Sequence, residues 1–391
     1  MNLHFYCIFL LMITRKLKFT KQSFFLFGPR GTGKTSWLKK EYPESIYIDL
    51  LESNTYNRLL AYPQRLEEMI PTKISEPVII DEIQKIPDLL NEVHRLIEKR
   101  KITFILTGSS ARKLRKSGSN LLAGRAITKH IFPLTPTELI DDFQFDKVLK
   151  VGLLPTIYDI DKDIDPNEYL SSYIQTYLKE EVLQEGLTRN IGVFTRFLET
   201  ASFSQGEALN ISSVARECSV NRKMAENYFD ILEDLLIASR VQVFQKKAKR
   251  KMSHHPKFYF FDVGVYRAIR PKGPLDSPEE IDGAAIETMT FQIISAWIEY
   301  SSIKLSIYYW RTQQGEEVDF ILYGEDGLIA IEVKRKSRFD KRDLKGLRIF
   351  KKDYPSCKAI YAYGGNENLY VEGIQVRSLN EVLKNPDSLL E

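Results

Sequence analysis

Eight residues near the start of the chain, Gly28 to Thr35, fit the phosphate-binding loop pattern G-x-x-x-x-G-K-[ST] at every fixed position. The apolar run 24–27 before them predicts a buried strand, and residues 36–41 after them predict a helix. In such a loop the glycines let successive N–H groups face a phosphate, the lysine brings a cation to the outer phosphates, and the last hydroxyl ligates Mg²⁺. The sequence therefore predicts a site for a nucleoside triphosphate and Mg²⁺, formed by Gly28, Pro29, Arg30, Gly31, Thr32, Gly33, Lys34 and Thr35. The alternative is a glycine-rich turn that matches the pattern by chance.

After the loop, apolar runs alternate with helix-like stretches. The runs cover residues 45–50, 77–80, 103–106 and 126–132. Strands that alternate with helices in this way predict a parallel sheet covered by helices on both faces. The N-terminal part of the chain is therefore expected to have an α/β fold.

Two acids come directly after the second of these runs. We expect Asp81 to hold Mg²⁺ through water or through Thr35, and Glu82 to orient and polarise the attacking water. An Asp-Glu pair after a strand is common in proteins. Its distance downstream of the loop and the apolar residues before it favour the catalytic interpretation.

Two later residues have competing interpretations. Thr107 follows the next run, at the edge of the sheet where ligands of open α/β sheets bind, so its hydroxyl could sense the outer phosphate. A strand-ending turn of small residues is the alternative. Arg125 precedes the last strand and follows a predicted helix at residues 111–116, which is where an arginine finger would bridge two subunits. One surface arginine among several is the alternative there.

Length, charge and cysteine content set limits on the class of protein. A chain of 391 residues exceeds what one hydrophobic core usually serves, so two or three domains are expected. The net charge of +4 is too small to identify a polyanionic partner. Three widely separated cysteines argue against a disulfide framework or a zinc site, and they fit a reducing compartment.

The apolar run 3–13 at the start of the chain is too short to span a bilayer and lacks the basic leader of a secretory signal. We therefore expect no membrane anchor here. A second methionine, Met12, lies just before the predicted ATP-binding region. We expect translation to start there and residues 1–11 to be an artefact of gene calling.

The middle of the chain reads as helical over 167–201 and as a winged helix over 210–244. Ser212 and Ser213 offer an N-cap for the first helix of this motif, and a turn at 219–221 leads into the second helix, 222–237. The alternative to a DNA-binding winged helix is a lid or a packing module of the same shape.

Basic residues occupy the places where such a motif would meet DNA. Arg222 and Lys223 stand at the N-terminal end of the second helix. A basic run follows the predicted wing, where phosphate contacts would be independent of sequence and sensitive to salt; it comprises Lys246, Lys247, Lys249, Arg250 and Lys251. A solvated surface is the alternative.

A further set of charged residues matches the PD-(D/E)xK nuclease pattern. Glu287 lies in a predicted helix, Asp319 in a strand-like run, and Glu332 and Lys334 at alternate positions of the next strand, which puts them on one face. The three carboxylates can hold one or two divalent cations, while Lys334 positions or activates water at a phosphodiester. An edge strand with a solvated glutamate and lysine is the alternative. Residues 334–352 contain ten Lys or Arg and only two Asp. This excess of positive charge is consistent with a surface along which a nucleic-acid phosphate backbone binds.

Several motifs together resemble a prokaryotic family of AAA-type ATPases with a family-specific C-terminal region. They are the loop motif at 28–35, Ile-Ile-Asp-Glu-Ile-Gln at 79–84, Leu-Thr-Gly-Ser-Ser at 106–110 and Leu-Ala-Gly-Arg at 122–125, followed by Phe-Pro-Leu at 132–134. The segments 173–178, 258–264 and 310–312 resemble landmarks of that C-terminal region. The resemblance implies a nucleotide site between neighbouring subunits, a role for Arg125 and a homo-oligomer, with a hexameric ring as one form. It also implies a C-terminal domain shaped like restriction nucleases and leaves its cleavage activity open.

These observations combine into one hypothesis with three modules. We expect an AAA-type core at 12–140, a helical lid and winged-helix domain at 141–255, and an α/β restriction-nuclease-like domain at 256–391. The function expected is that of a cytoplasmic, oligomeric, Mg²⁺-dependent ATPase that remodels or translocates DNA, branched DNA included, with no membrane partner. The alternatives are a nucleotide-dependent regulatory or defence switch and a remodeller of protein partners.

Overall fold

The computed structural model of the chain describes residues 13–18, 20–110, 114, 122–159, 164–178, 182, 190–274 and 276–391. The expected gene-calling artefact at residues 1–11 and all but one residue of the expected helix at 111–116 lie outside the described residues. In the described part of the chain, no helix combines the length and the apolar character needed to cross a membrane.

A five-stranded parallel sheet forms the N-terminal module. Its strands are β1 Ser23–Phe27, β2 Ile46–Asp49, β3 Val78–Asp81, β4 Phe104–Gly108 and β5 Ala126–His130. Their spatial order is β2-β3-β4-β1-β5, and every neighbouring pair is parallel, which confirms the predicted sheet. Because β1, β4 and β3 are adjacent, the loop after β1 and the acids after β3 lie at the same carboxyl edge.

Helices cover both faces of this sheet. They are α1 Lys34–Glu41, α2 Ser53–Ala61 and α3 Leu89–Arg100. Alternate residues of β1 enter different apolar clusters: Phe25 packs in the cluster that contains residues of α2 and α3, and Phe24 in the cluster that contains Trp37 of α1. This alternation explains why β1 is buried at every position.

The middle segment is mainly helical and ends in a two-stranded antiparallel ribbon. Its elements are α4 Pro136–Leu139, α5 Phe145–Val151, α6 Pro166–Ser172, a π-helix Tyr173–Leu178, α7 Ile191–Ser202, α8 Ile211–Glu217, α9 Arg222–Asp234, β6 Ala238–Val241 and β7 Lys257–Phe260. The predicted N-cap of the first helix of the pair at Ser212 and Ser213 is wrong. Asn210 caps α8 instead, since its side chain accepts a hydrogen bond from Ser213 N at 3.1 Å.

The C-terminal segment is a six-stranded mixed sheet with helices. Its elements are α10 Val263–Ile269, α11 Pro278–Tyr300, β8 Leu305–Arg311, β9 Glu317–Gly324, β10 Gly327–Lys334, α12 Lys345–Asp353, β11 Lys358–Tyr363, β12 Leu369–Val371, β13 Ile374–Ser378 and α13 Leu379–Lys384. The spatial order is β12-β13-β11-β10-β9-β8. Short 3₁₀ turns connect elements throughout the chain at Pro63–Met69, Ile83–Lys85, Leu122–Gly124, Ile140–Asp142, Pro155–Tyr158, Lys341–Leu344 and Pro386–Leu389.

One hydrophobic core runs through both the middle and the C-terminal segments, from Leu134 to Leu389. Helix α11 extends beyond it, because Ala296 and Tyr300 at its C-terminal end pack in the apolar cluster around α1 and β1. The middle and C-terminal segments are therefore joined by a continuous interior, and α11 connects that interior to the N-terminal sheet.

Candidate functional site

The predicted nucleotide loop runs from the end of β1 into the start of α1. Gly31 and Gly33 have φ values of 83° and 87°, which side-chain-bearing residues rarely adopt. A Cβ at Gly28 would lie 2.4 Å from Ile131 O, so only glycine fits there. Gly33 is the N-cap of α1, so the first backbone N–H groups of that helix come directly after the loop. This cradle of glycines and N–H groups fits the phosphates of a nucleotide.

Lys34 lies inside the loop rather than out in solvent. Its side chain is buried, and its Nζ donates to Gly28 O at 2.6 Å and to Pro29 O at 3.2 Å. Thr32 Oγ1 also donates to Pro29 O, at 2.8 Å. The ammonium group is thus held at the concave side of the loop, where it can approach the outer phosphates.

Asp81 at the end of β3 accepts hydrogen bonds from three hydroxyl groups. Thr35 Oγ1 donates to Asp81 Oδ2 at 3.0 Å, and the hydroxyls of Tyr47 and Thr107 also donate to this carboxylate. Burial and the bond to Asp81 raise the pKa of Tyr47, so this residue remains a hydroxyl donor. One carboxylate beside one hydroxyl fits Mg²⁺, because this ion binds few protein oxygens and keeps several waters.

Glu82 has a left-handed backbone, with φ 60°, and its carboxylate accepts a hydrogen bond from Gln84 Nε2. Gln84 is buried and also donates to Ser109 Oγ at 3.3 Å. Gln84 therefore orients the expected catalytic carboxylate. Holding a non-glycine residue in this conformation costs about 1–3 kcal/mol, and such strain persists only where the surroundings impose it.

Thr107 is fully buried and turned toward the two acids. Its hydroxyl donates a hydrogen bond to Asp81 and accepts one from Glu82 N at 3.4 Å. The structure thus brings Thr107 together with both acids. Arg125 is elsewhere: its Nε is paired with Glu98 at the end of α3, and its side chain is 37% exposed.

Two side chains from outside the loop hold its backbone. Arg15 Nη1 donates to Thr32 O at 2.9 Å, and Tyr173 OH donates to Arg30 O at 2.9 Å. Tyr169 and Tyr173 also border Gly31, where an added Cβ would lie 3.3 Å from the Tyr169 hydroxyl and 3.3 Å from the Tyr173 ring. The middle segment therefore packs on the nucleotide loop.

Arg15 is a buried junction between the loop and distant elements. Besides Thr32 O, it donates to Glu138 Oε1 at 3.1 Å, to the hydroxyl of Tyr300 at 3.1 Å and to Phe132 O. The attraction of Tyr300 and Glu138 outweighs burial and raises the pKa of the guanidinium, so it stays charged. Tyr300 is the last residue of α11, so one side chain joins the loop to the C-terminal segment.

The four residues of the predicted nuclease pattern come together in the C-terminal segment. Lys334 Nζ lies 2.7 Å from Glu332 Oε1 and 3.7 Å from Asp319 Oδ2. Asp319 Oδ2 also accepts from Val333 N at 2.9 Å. Glu287 reaches the same cluster from α11 through Lys257, a residue that the sequence analysis missed.

Lys257, on β7, lies among the acids of this cluster. Its Nζ is 2.5 Å from Glu317 Oε1, 3.1 Å from Glu287 Oε2 and 3.5 Å from Asp319 Oδ1. Tyr259, two residues further on, donates to Glu287 Oε2 at 2.9 Å. A divalent cation that bound Glu287 and Asp319 would compete with this ammonium group.

The protonation of the cluster is perturbed. Burial raises the pKa of Glu287 to about 7, against the opposing effect of Lys257. Burial and the charge of Asp319 raise the pKa of Glu332 to about 8. Lys334 and Lys257 instead lower the pKa of Asp319 despite its burial. Among the described residues, no group of three or more His, Cys, Asp or Glu is arranged to hold a metal ion. As arranged, the cluster does not fit a divalent cation.

The predicted DNA-contact residues fall on two surfaces. Arg222 and Lys223 are exposed at the first turn of α9, which follows α8 after a short turn. The basic run 246–251 is exposed on the connection between β6 and β7. Arg250 in this run is paired with Asp353 Oδ2 at 2.6 Å, and Lys246 Nζ lies 4.7 Å from the centre of the Tyr323 ring.

The connection that carries this run is docked on the C-terminal sheet. Phe244 N donates to Tyr309 O at 2.7 Å, and Ser253 N donates to Arg311 O at 2.9 Å. Several residues of the later basic stretch, 334–352, are paired with acids. Its pairs include Arg335 with Asp282, Lys336 with Asp343, Arg342 with Asp340, and Arg348 with Glu372.

Three family models match successive parts of the chain. Residues 20–140 match an AAA domain, residues 142–276 match a domain of unknown function (DUF8612), and residues 282–382 match another domain of unknown function (DUF4143). The AAA match covers the parallel sheet, the loop and the acids described above.

Similar proteins occur in bacteria and archaea. An uncharacterized protein of Mycobacterium tuberculosis is 25% identical over 320 residues, which cover 80% of this chain and 70% of the relative. An uncharacterized protein of Methanocaldococcus jannaschii is 23% identical over 384 residues, which cover 89% of this chain and 84% of the relative.

Among solved structures, the Aeropyrum pernix ORC1 protein in complex with DNA aligns with 64% of this chain and 87% of its own, at 13% identity and a TM-score of 0.27. Protein VC1899 from Vibrio cholerae aligns with 94% of this chain and 97% of its own, at 11% identity and a TM-score of 0.21. Both likenesses are too weak to carry an argument. The family match and the parallel sheet instead lead to one conclusion: residues 20–140 match an AAA domain, and their parallel α/β sheet fits the core of such a domain.

Proposed function

We propose that the chain is an Mg²⁺-dependent ATPase that converts ATP and water to ADP and phosphate and uses this reaction to remodel or translocate DNA. The observation that carries the ATPase part is the approach of Thr35 Oγ1 to Asp81 Oδ2, at 3.0 Å. It brings the last residue of a phosphate-binding loop to the acid of a neighbouring strand, as Mg²⁺-dependent phosphoryl transfer requires. The AAA family match supports the same assignment.

Each residue of this site has a distinct role in the proposal. Residues 28–35 bind the phosphates, and Lys34 neutralises charge on the outer ones. Thr35 and Asp81 would hold Mg²⁺, which would offset the negative charge of the phosphates. Glu82 accepts a hydrogen bond from the attacking water and orients it for attack, while Gln84 and Thr107 hold the two acids in position.

Arg125 acts in trans in this proposal. Its exposed pair with Glu98 contributes little stability within one chain, since exposed ion pairs are worth at most about 1 kcal/mol. The side chain is therefore available to a neighbouring subunit's nucleotide. A homo-oligomer with its sites between subunits, a hexameric ring being one form, is part of the proposal, as is a cytoplasmic location.

The DNA part of the proposal rests on the middle segment. Helices α8 and α9 with the ribbon β6–β7 follow the order of a winged helix, and Arg222 and Lys223 begin the second helix. The exposed basic run 246–251 adds a second positive surface. We propose module boundaries at 12–140, 141–255 and 256–391, so that β7 of the ribbon comes from the last module, for which we propose a restriction-nuclease-like fold.

The test is the ATPase rate of the purified full chain with and without DNA. We expect DNA to stimulate phosphate release, and Lys34→Ala or Glu82→Gln to abolish it. The pair of substitutions Arg222→Ala and Lys223→Ala should leave the basal rate unchanged and weaken the stimulation, with a shallower salt dependence because fewer phosphates are neutralised. Lys304→Ala, which removes an exposed lysine paired with Glu325 at 2.6 Å, is the matched control.

Phosphate release that no duplex, branched or single-stranded DNA changes would contradict the DNA part. Phosphate release that survives Lys34→Ala would contradict the ATPase part.

A further inference from the structure

A lysine lies among the C-terminal acids of the predicted nuclease pattern, which were expected to hold a metal ion. Lys257 Nζ lies within 3.5 Å of carboxylate oxygens of Glu287, Glu317 and Asp319. The Lys257 side chain is only 2% exposed, so these carboxylates are its surroundings and water contributes little. The three acids come from α11 and β9, and the lysine reaches them from β7.

The oxygens of Asp319, the central acid, are both in use. Oδ1 faces Lys257 Nζ, while Oδ2 accepts from Val333 N at 2.9 Å and lies 3.7 Å from Lys334 Nζ. A divalent cation binds carboxylate oxygens at about 2.0–2.6 Å and would have to take one of these places. In this arrangement the ammonium group stands where such a cation would bridge Glu287 and Asp319.

Charge balance points the same way. Lys257 and Lys334 lie among the carboxylates, and Arg311 Nη1 adds a third cation 3.1 Å from Glu317 Oε2. Four carboxyl groups, of which Glu332 has a pKa raised to about 8, therefore face three fixed cations within the cluster. Adding a divalent ion without displacing Lys257 would put two positive centres within contact distance in a buried site, which is strongly unfavourable.

One oxygen of the cluster keeps acceptor capacity. Glu332 Oε2 is buried and has no hydrogen-bond partner, while Glu332 Oε1 is paired with Lys334. Carboxylate oxygens are the kind of ligand that Mg²⁺ and Mn²⁺ prefer, so removing the Lys257 ammonium group is the change that would open this cluster to such an ion.

We propose that Lys257 is the resident cation of this cluster, that it binds the carboxylates in place of a divalent metal ion, and that the C-terminal domain consequently does not hydrolyse phosphodiesters. The cluster then joins β7, α11 and β9 through ion pairs. This proposal is independent of the ATPase proposal, because it concerns only the C-terminal acids.

The experiment measures Mn²⁺ binding to the full chain by electron paramagnetic resonance, in an Asp81→Asn background that removes the expected nucleotide-linked metal ligand. We expect no Mn²⁺ bound at the cluster in this parent. Adding Lys257→Met should lower the dissociation constant for Mn²⁺ by a factor of at least about ten relative to the parent. Adding Glu332→Gln should remove the gained binding. Lys304→Met, which removes a lysine from an exposed pair just outside the strands of the same sheet, should change nothing.

Mn²⁺ binding by the parent that Glu332→Gln abolishes would overturn the proposal, and so would a folded Lys257→Met variant that gains no binding. Cleavage of supercoiled plasmid with Mn²⁺ by the wild-type chain, lost in Asp319→Asn, would overturn it as well. If Lys257→Met does not fold, Lys257→Gln replaces it in the Mn²⁺ titration. The Mn²⁺ binding of the parent, measured with and without Glu332→Gln, then tests the proposal as well. ATPase assays on the wild-type chain report on the other site and separate the two proposals.

Discussion

Replacing Arg15 by methionine removes a buried guanidinium that holds the nucleotide loop to the rest of the molecule. The side chains of Arg15 and Glu138 are 6% and 0% exposed, and breaking such a buried pair costs about 3–5 kcal/mol. Glu138 keeps two backbone donors, Lys16 N at 2.7 Å and Thr135 N at 2.9 Å. We therefore expect the free energy of unfolding to fall by about 3 kcal/mol, at the lower end of that range.

The same substitution removes the donor to Thr32 O in the loop, a bond of 2.9 Å. A hydrogen bond of this kind contributes about 1 kcal/mol, which corresponds to roughly a fivefold change in affinity. The dissociation constant for ATP should therefore rise by about that factor, if the loop needs this bond to keep its shape.

Urea unfolding followed by circular dichroism measures the stability change, and titration with a fluorescent ATP analogue measures the affinity. The matched control is Arg58→Met, because Arg58 pairs with Glu68 at 2.8 Å but both side chains are exposed, at 44% and 60%. This control should lose at most about 1 kcal/mol. Adding Glu138→Gln to Arg15→Met should restore part of the loss, since no unpaired buried charge remains. Equal losses for Arg15→Met and Arg58→Met would refute the reasoning.

Three further substitutions test other features. Gly28→Ala places a Cβ 2.4 Å from Ile131 O, so it should cost about 1–3 kcal/mol and abolish nucleotide binding, whereas Gly283→Ala, with nothing within 4 Å, should leave calorimetric ATP binding intact. Arg125→Ala should lower the ATPase rate by about 10³ or more, and mixing it with Glu82→Gln subunits should restore activity; no recovery would count against a site shared between subunits. The carboxyl of Glu332 lies near Asp319, Lys334 and Lys257 and has a pKa of about 8, against its usual value of 4.5. Between pH 4.5 and pH 8 this group is therefore protonated in the folded chain and ionised in the unfolded chain. The free energy of unfolding should therefore decrease as pH rises from 4.5 to 8, and Glu332→Gln should flatten this decline in urea titrations; an unchanged slope would contradict the assignment.

The local patterns in the sequence predicted the elements of the N-terminal module well. Apolar runs gave all five strands of the parallel sheet, because a strand buried on both faces needs apolar residues at almost every position. The loop pattern includes Gly33, whose φ is positive in the structure. The acid at position 81 was expected from its place after an apolar run, and it ends β3.

The contacts that hold the sites together were not predictable in the same way. Arg15 and Tyr300 are separated by 285 positions, and Lys257 and Asp319 by 62. No local periodicity relates such pairs, since tertiary packing alone brings them together. Tyr47 was missed for a similar reason: it reads as an ordinary strand residue until β2 lies beside β3.

Capping was misread because two good candidates stood close together. Serine and asparagine are both favourable N-caps, and the chain has Asn210 two positions before Ser212. The structure starts α8 at the earlier one. Whether the residues grouped at the two sites act as expected stays a prediction, to be decided by the experiments above.

Helix α11 limits which fragments of the chain can be studied separately. Glu287 and Tyr300 lie about 20 Å apart along its axis, at 1.5 Å per residue, and they belong to different sites. A truncated chain that stops at residue 140 would lack Tyr300, whose hydroxyl accepts hydrogen bonds from Phe132 N and from Arg15. It would also expose the apolar residues that α11 covers. A fragment beginning at residue 282 would lack Lys257 and leave its acids without their nearest cation. Contacts therefore cross the limits of the three matched families, so biochemical dissection of this protein calls for point substitutions in the intact polypeptide.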